Sequence, residues 1–95
     1  MRIVGEERKL FAKRNVRELV RISENIVIAS TARELHVCYI SRDEVDTICT
    51  TKVAPDATGA IQKLQWVSAT NALFVLQGEE IYALGYDRSR DRLFY

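Results

Sequence analysis

Few side chains in this sequence are suited to chemistry. Cys38 and Cys49 are its two cysteines and His36 its one histidine. A structural zinc ion takes about four ligands, so this set falls short, and the His36-x-Cys38 spacing matches no zinc pattern. On a strand, His36 and Cys38 share a face about 7 Å apart. That is too far for the hydrogen bond that activates a nucleophilic thiol. Both cysteines lie in apolar or Thr-rich runs, where a thiol behaves as a small buried hydrophobe. They are expected to be unlinked and slow to react. Two cysteines cannot build a disulfide scaffold, so the reading is intracellular, cytoplasmic by default. Asp43-Glu44 and Glu79-Glu80 are adjacent carboxylates in turns, which rarely converge for acid–base work. A glycine-rich phosphate loop, a Ser-His-Asp order and a paired metal-ligand motif are all missing. The expectation is no catalytic residue, no metal and no cofactor, and hence not an enzyme.

Charge is the other chemical resource. The chain carries 14 Lys plus Arg against 13 Asp plus Glu, a net +1 that argues against a polycation. The balance is uneven along the sequence. Arg2, Arg8, Lys9, Lys13, Arg14, Arg17 and Arg21 face only Glu6, Glu7 and Glu18, giving the N-terminal segment +4 and the remainder −3. Arg8, Lys9, Lys13, Arg14, Arg17 and Arg21 are therefore candidates for phosphate contact, which would dominate nucleic-acid affinity. Only Phe11 interleaves with them, so a base-stacking platform is poorly supported. The plainer reading is a strand edge protected by Lys and Arg against edge-to-edge pairing. Residues 88–92 form a second basic turn, read as an exposed strand connection. No apolar run approaches the roughly 20 residues of a membrane helix. The charged N-terminus lacks the apolar core of a secretory signal.

The elements that would position these groups are short. Runs rich in Val, Ile, Tyr, Phe and Thr span 26–30, 35–40, 45–53, 61–67, 73–76 and 81–86. The polar joints between them are mostly of hairpin length. Pro55 and Gly59 bracket the longest joint and give the best internal boundary. Residues 7–22 can be drawn as a basic helix or as two strands, and periodicity alone does not choose. Hydrophobicity at 47% and charge at 28% place the chain among globular proteins rather than disordered ones. Its length allows one domain, 1–95.

A repeat runs through this pattern. Val16, Leu19, Ile22 and Ser23 match Ile61, Leu64, Val67 and Ser68 at a separation of 45. After one insertion, Asn25, Leu35, Val37, Ile40 and Arg42 match Asn71, Ile81, Ala83, Tyr86 and Arg88 at 46. The units run about 16–53 and 61–95. Four strands in a period of 40–50 residues is the pattern of propeller blades. Along 26–28, 35–40 and 73–76 apolar residues occupy both faces, as expected of sheets sandwiched between neighbours.

Residues 61–87 resemble the first three strands of a WD40-like blade. Ile61, Leu64 and Trp66 stand on its first strand, residues 73–76 form the second, and the third ends on Tyr86-Asp87. The Gly-His pair is missing from both units, and Tyr86-Asp87 replaces Trp-Asp, which loosens the family name more than the architecture. The resemblance implies an all-β fold of antiparallel four-stranded blade-like sheets, part of a β-propeller, with a small β-sandwich as the alternative. It implies a scaffold that binds proteins or self-associates. Weak nucleic-acid binding through the basic segment is the competing function, and no membrane association is expected. Trp66, Tyr82, Tyr86 and Phe94 are the interface candidates, although core packing is the plainer role for Trp66. A terminal blade would leave an apolar face uncovered, drawn from Ile26, Ile28, Val37, Ile40, Leu73, Val75, Ile81 and Tyr86.

Overall fold

The computed structural model describes residues 16–42 and 44–95. They form an all-β protein of two antiparallel four-stranded sheets, each a meander with strands in sequence order. The first sheet contains β1 (Glu18–Arg21), β2 (Ile26–Ser30), β3 (Glu34–Ser41) and β4 (Glu44–Lys52). The second contains β5 (Ile61–Val67), β6 (Ala72–Gln77), β7 (Glu80–Asp87) and β8 (Arg92–Phe94), with a 3-10 turn at Ser68–Thr70. Where residues 16–22 could be helix or strand, residues 18–21 are strand. The remainder of that ambiguous segment, residues 7–15, lies outside the described residues.

Register makes the two sheets superimposable in sequence. Ile26 pairs with Tyr39 and Ser30 with Leu35 in the first sheet. Ala72 pairs with Gly85 and Leu76 with Ile81 in the second. Each residue of β2 and β3 stands 46 positions before its counterpart in β6 and β7. The turns agree as well. Ile40 N–H donates to the Asn25 carbonyl at 2.8 Å, and Tyr86 N–H donates to the Asn71 carbonyl at 3.0 Å. Asn71 ends the 3-10 turn in a left-handed conformation, φ 52°, which asparagine tolerates better than most residues.

The sheets pack face to face over one core. Because side chains alternate along a strand, Ile28, Leu35 and Val37 look toward the second sheet and meet a layer containing Leu73, Val75 and Leu84, every one buried. A second, smaller cluster occupies the outer face of the first sheet, where Val27, Ala29 and Cys38 are 0–1% exposed and Leu19, Ile40 and Val45 pack against them. The centre of the first sheet, in β2 and β3, is thus apolar and buried on both faces.

One corner ties the sheets covalently and by hydrogen bonds. The β4–β5 connection crosses from one to the other, and Ile61 N–H donates to the Ala32 carbonyl at 2.7 Å. Gly59 and Gly78 both have positive φ, 89° and 62°, and a Cβ on Gly59 would stand 2.9 Å from Gly78 Cα. Elsewhere in the core, Ser30 Oγ is fully buried without a hydrogen-bond partner. These two sites predict opposite responses. Gly59→Ala should lower the urea-unfolding free energy by about 1–3 kcal/mol through backbone strain and contact. Ser30→Ala, which deletes an unsatisfied hydroxyl, should leave stability unchanged or raise it by up to about 1 kcal/mol.

Candidate interaction surface

Alternation fixes what the second sheet shows to solvent. Leu73, Val75, Leu84, Tyr86 and Leu93 turn inward. Their neighbours Phe74, Leu76, Ile81, Ala83 and Phe94 therefore turn outward. Cross-strand pairing joins them into one patch, with Phe74 opposite Ala83, Leu76 opposite Ile81, and Phe94 opposite Gly85. Ile81 is 73% exposed, Phe94 57% and Phe74 40%. A shallow cavity of about 190 Å³ lies in this patch between Lys63, Phe74, Leu76 and Ile81. The Phe94 ring lies over Gly85, and a Cβ there would collide with it. Such aromatic cover restores the apolar contact that glycine lacks in a strand. Lys63, across from Leu76, and Arg92, beside Phe94, put positive charge at the rim.

Repeat register gives this face its significance. Leu35 and Val37 of the first sheet correspond to Ile81 and Ala83 of the second, and Ile28 corresponds to Phe74. In the first sheet those residues are fully buried against its neighbour; in the second they look outward. The outer face of the first sheet, Val27, Ala29, Cys38 and Ile40, corresponds instead to Leu73, Val75, Leu84 and Tyr86, which face the first sheet. Unlike faces meet at the interface. The two units are stacked head to tail, not related by a two-fold axis.

Of the residues singled out in the sequence, Phe94 belongs to the exposed patch. Tyr86 does not: it is 6% exposed, packs edge-on against half-buried Trp66 with centroids 6.0 Å apart, and donates its hydroxyl to Asp91 Oδ1 at 2.7 Å. Tyr82 is half-buried on the same inward side, 6.2 Å from the Tyr95 ring. Of the residues expected to be uncovered, Ile81 is; Ile28, Val37, Leu73, Val75 and Tyr86 are buried. Phe74 and Leu76 were missed because they alternate with equally apolar neighbours, and hydropathy alone does not distinguish the two sides of β6. Arg8, Lys9, Lys13 and Arg14 lie outside the described residues. Arg17 N–H donates to the Ser30 carbonyl at 2.7 Å, and the Arg21 guanidinium donates to the carbonyls of Ser23 and Glu24.

The potentially reactive groups are held apart. Cys38 Sγ lies 3.8 Å from the His36 carbonyl and 3.9 Å from Thr47 Oγ1, while His36 Nδ1 shares a 3.0 Å hydrogen bond with Thr50 Oγ1. Cys49 lies on the opposite face, and no disulfide joins it to Cys38. Among the described residues, no group of three or more His, Cys, Asp or Glu could hold a metal ion, and no helix is long and apolar enough to cross a membrane.

The class these observations define is an all-β protein of two successive four-stranded antiparallel sheets. No protein-family model matches the chain, and no curated protein or solved structure matches it.

Two ionisable groups in the β7–β8 hairpin report on its integrity. Burial, then the hydrogen bond to Asp91, pushes the Tyr86 phenol well above its ordinary range. The hydrogen bonds from the Ser89 hydroxyl and N–H hold the Asp87 carboxyl below its usual value. Because the raised Tyr86 value favours the neutral phenol in the folded state, its contribution is complete below the unfolded pKa and lost above it. Stability measured by denaturant unfolding should therefore fall as pH rises above about 10, the ordinary tyrosine value. Tyr86→Phe should flatten that alkaline decline.

Proposed function

We propose that this chain is a non-catalytic protein-interaction or assembly element, a scaffold whose second sheet receives a further β-sheet of a partner. One observation carries the reading. Phe74, Ile81 and Ala83 occupy register positions whose counterparts Ile28, Leu35 and Val37 are buried against a neighbouring sheet. Head-to-tail succession of four-stranded antiparallel units is how propeller blades follow one another, and it supports the same reading. The partner's chemistry follows from the existing interface. It presents a small-aliphatic sheet face, like that of Leu73, Val75 and Leu84, with acidic residues at its edge to meet Lys63 and Arg92.

Magnitudes bound the affinity. Full burial of a large apolar side chain contributes about 1.5–3 kcal/mol, and Phe74 and Phe94 are already partly covered. Association costs about 4–15 kcal/mol in lost freedom. The three exposed side chains therefore support weak or tethered docking, and tight binding needs the polar rim as well.

Hydrophobic-dye binding and light scattering on the isolated chain test this. The expected result is dye fluorescence and concentration-dependent association, both abolished in Phe74→Glu/Ile81→Glu with the circular dichroism spectrum unchanged. A cooperative monomer of the parent chain that binds no dye overturns the reading.

A further inference from the structure

The second sheet has an open edge as well as an open face. β7 is eight residues long, and β8 pairs with it only from Gly85 to Asp87. Its counterpart β3 is paired along its whole length, because β4 continues to Lys52, opposite Glu34. The 46-residue register makes Glu80, Ile81, Tyr82 and Ala83 the counterparts of Glu34, Leu35, His36 and Val37. Those first-sheet residues pair with Lys52, Thr51, Thr50 and Cys49. Among the described residues, no strand takes the same place beside residues 80–83.

Backbone direction decides what this edge can do. Tyr86 N–H donates to the Asn71 carbonyl, so Tyr82, Leu84 and Tyr86 direct their backbone groups to the β6 side. Ile81 and Ala83 direct theirs to the other side, beyond the point where β8 ends. Their N–H and C=O groups stand in a row, a template for pairing with another strand. Glu80, Ile81 and Ala83 are exposed. Burial, then the Glu80 and Asp56 carboxylates, hold the Tyr82 phenol above its ordinary value, so the end of this edge is electronegative.

We infer that β7 takes up an extended peptide segment of a partner protein along residues 80–83, antiparallel to β7 and in line with β8. Strand addition of this kind draws affinity from main-chain hydrogen bonds and specificity from alternate side chains. Residues opposite Ala83 and Ile81 lie on the outer face, where aliphatic side chains prolong the apolar patch of Phe94 and Ile81. The residue opposite Tyr82 takes the place that Thr50 has opposite His36. The residue opposite Glu80 is basic, as Lys52 is opposite Glu34, because opposite charges facing each other across a strand pair are favourable. The segment therefore runs aliphatic, threonine, aliphatic, basic from its N-terminus. Tyr95, with its ring 6.2 Å from that of Tyr82, bounds it at the β8 end. This edge and the outer face are different surfaces, and docking at one does not require docking at the other.

NMR on the full chain, with acetyl-Val-Thr-Val-Lys-amide as the probe, tests the inference. In the free chain the Ile81 and Ala83 amides should exchange with solvent at least about ten-fold faster than those of Tyr82 and Leu84, which face β6. The peptide should shift Ile81 and Ala83 and slow their exchange, with a dissociation constant on the order of 1 mM. N-methylation of its second valine, whose N–H would donate to the Ile81 carbonyl, should weaken binding about ten-fold. N-methylation of its threonine, whose N–H points to solvent, should change binding by less than about two-fold. Replacing the peptide lysine by glutamate should weaken binding about three-fold, and Glu80→Lys should restore it. Slow exchange of Ile81 and Ala83 in the free chain overturns the inference, as does equal binding of the two N-methylated peptides. So does the absence of any shift at about 10 mM peptide. Shifts confined to Phe74 and Leu76 also overturn it, and would assign the peptide to the outer face.

Discussion

Everything in this molecule hangs on the contact between one face of the first sheet and the opposite kind of face on the second. Ile28, Leu35 and Val37 can be buried only if Leu73, Val75 and Leu84 are brought over them. Neither meander closes on itself. Small chains bury a modest fraction of their surface, and here the larger cluster lies in the layer between the two sheets, with the smaller one on the outer face of the first. β1 runs beside β5, and β4 meets β8 at the other margin. The layer is therefore bounded along both edges by strands already paired within their own sheets.

The tied corner holds that layer in register. The Ile61 N–H to Ala32 carbonyl hydrogen bond reaches from the second sheet to the β2–β3 turn. The Gly59–Gly78 approach then seats the β4–β5 connection on the turn between β6 and β7. Gln77 links these features, since its amide donates to the Gly59 carbonyl and the residue also lines a cavity between the β2–β3 turn and the β4–β5 connection. Sheet-to-sheet alignment and the shape of that cavity are consequently products of the same few backbone contacts.

Strand positions were largely legible in the sequence. The apolar runs at 26–30 and 61–67 coincide with β2 and β5, and the other four differ from strands by one residue at either end. Turn formers and β-branched residues mark such boundaries locally. Which face is covered was not legible. Along 72–77 nearly every residue is apolar, so Val75 and Phe74 are equivalent in pattern, and only the partner sheet makes one core and the other surface. The irregular pairing between Val37 and Cys38, and that between Ile61 and Lys63, leave no mark in composition. Trp66 was more readable: its strand position pointed to packing, and it rests against Tyr86.

Head-to-tail stacking has a consequence that a two-fold sandwich lacks. In a two-fold sandwich like faces meet and both outer faces can be polar. When unlike faces meet, both faces of every unit must be apolar, and each terminal unit retains one that its neighbour does not cover. At the first sheet this face is buried at its centre, with Val27, Ala29 and Cys38 at 0–1% exposure. At the second it is open. The open face of the second sheet is therefore the feature that the proposed partner sheet would answer, because its register counterparts Ile28, Leu35 and Val37 already have a sheet over them.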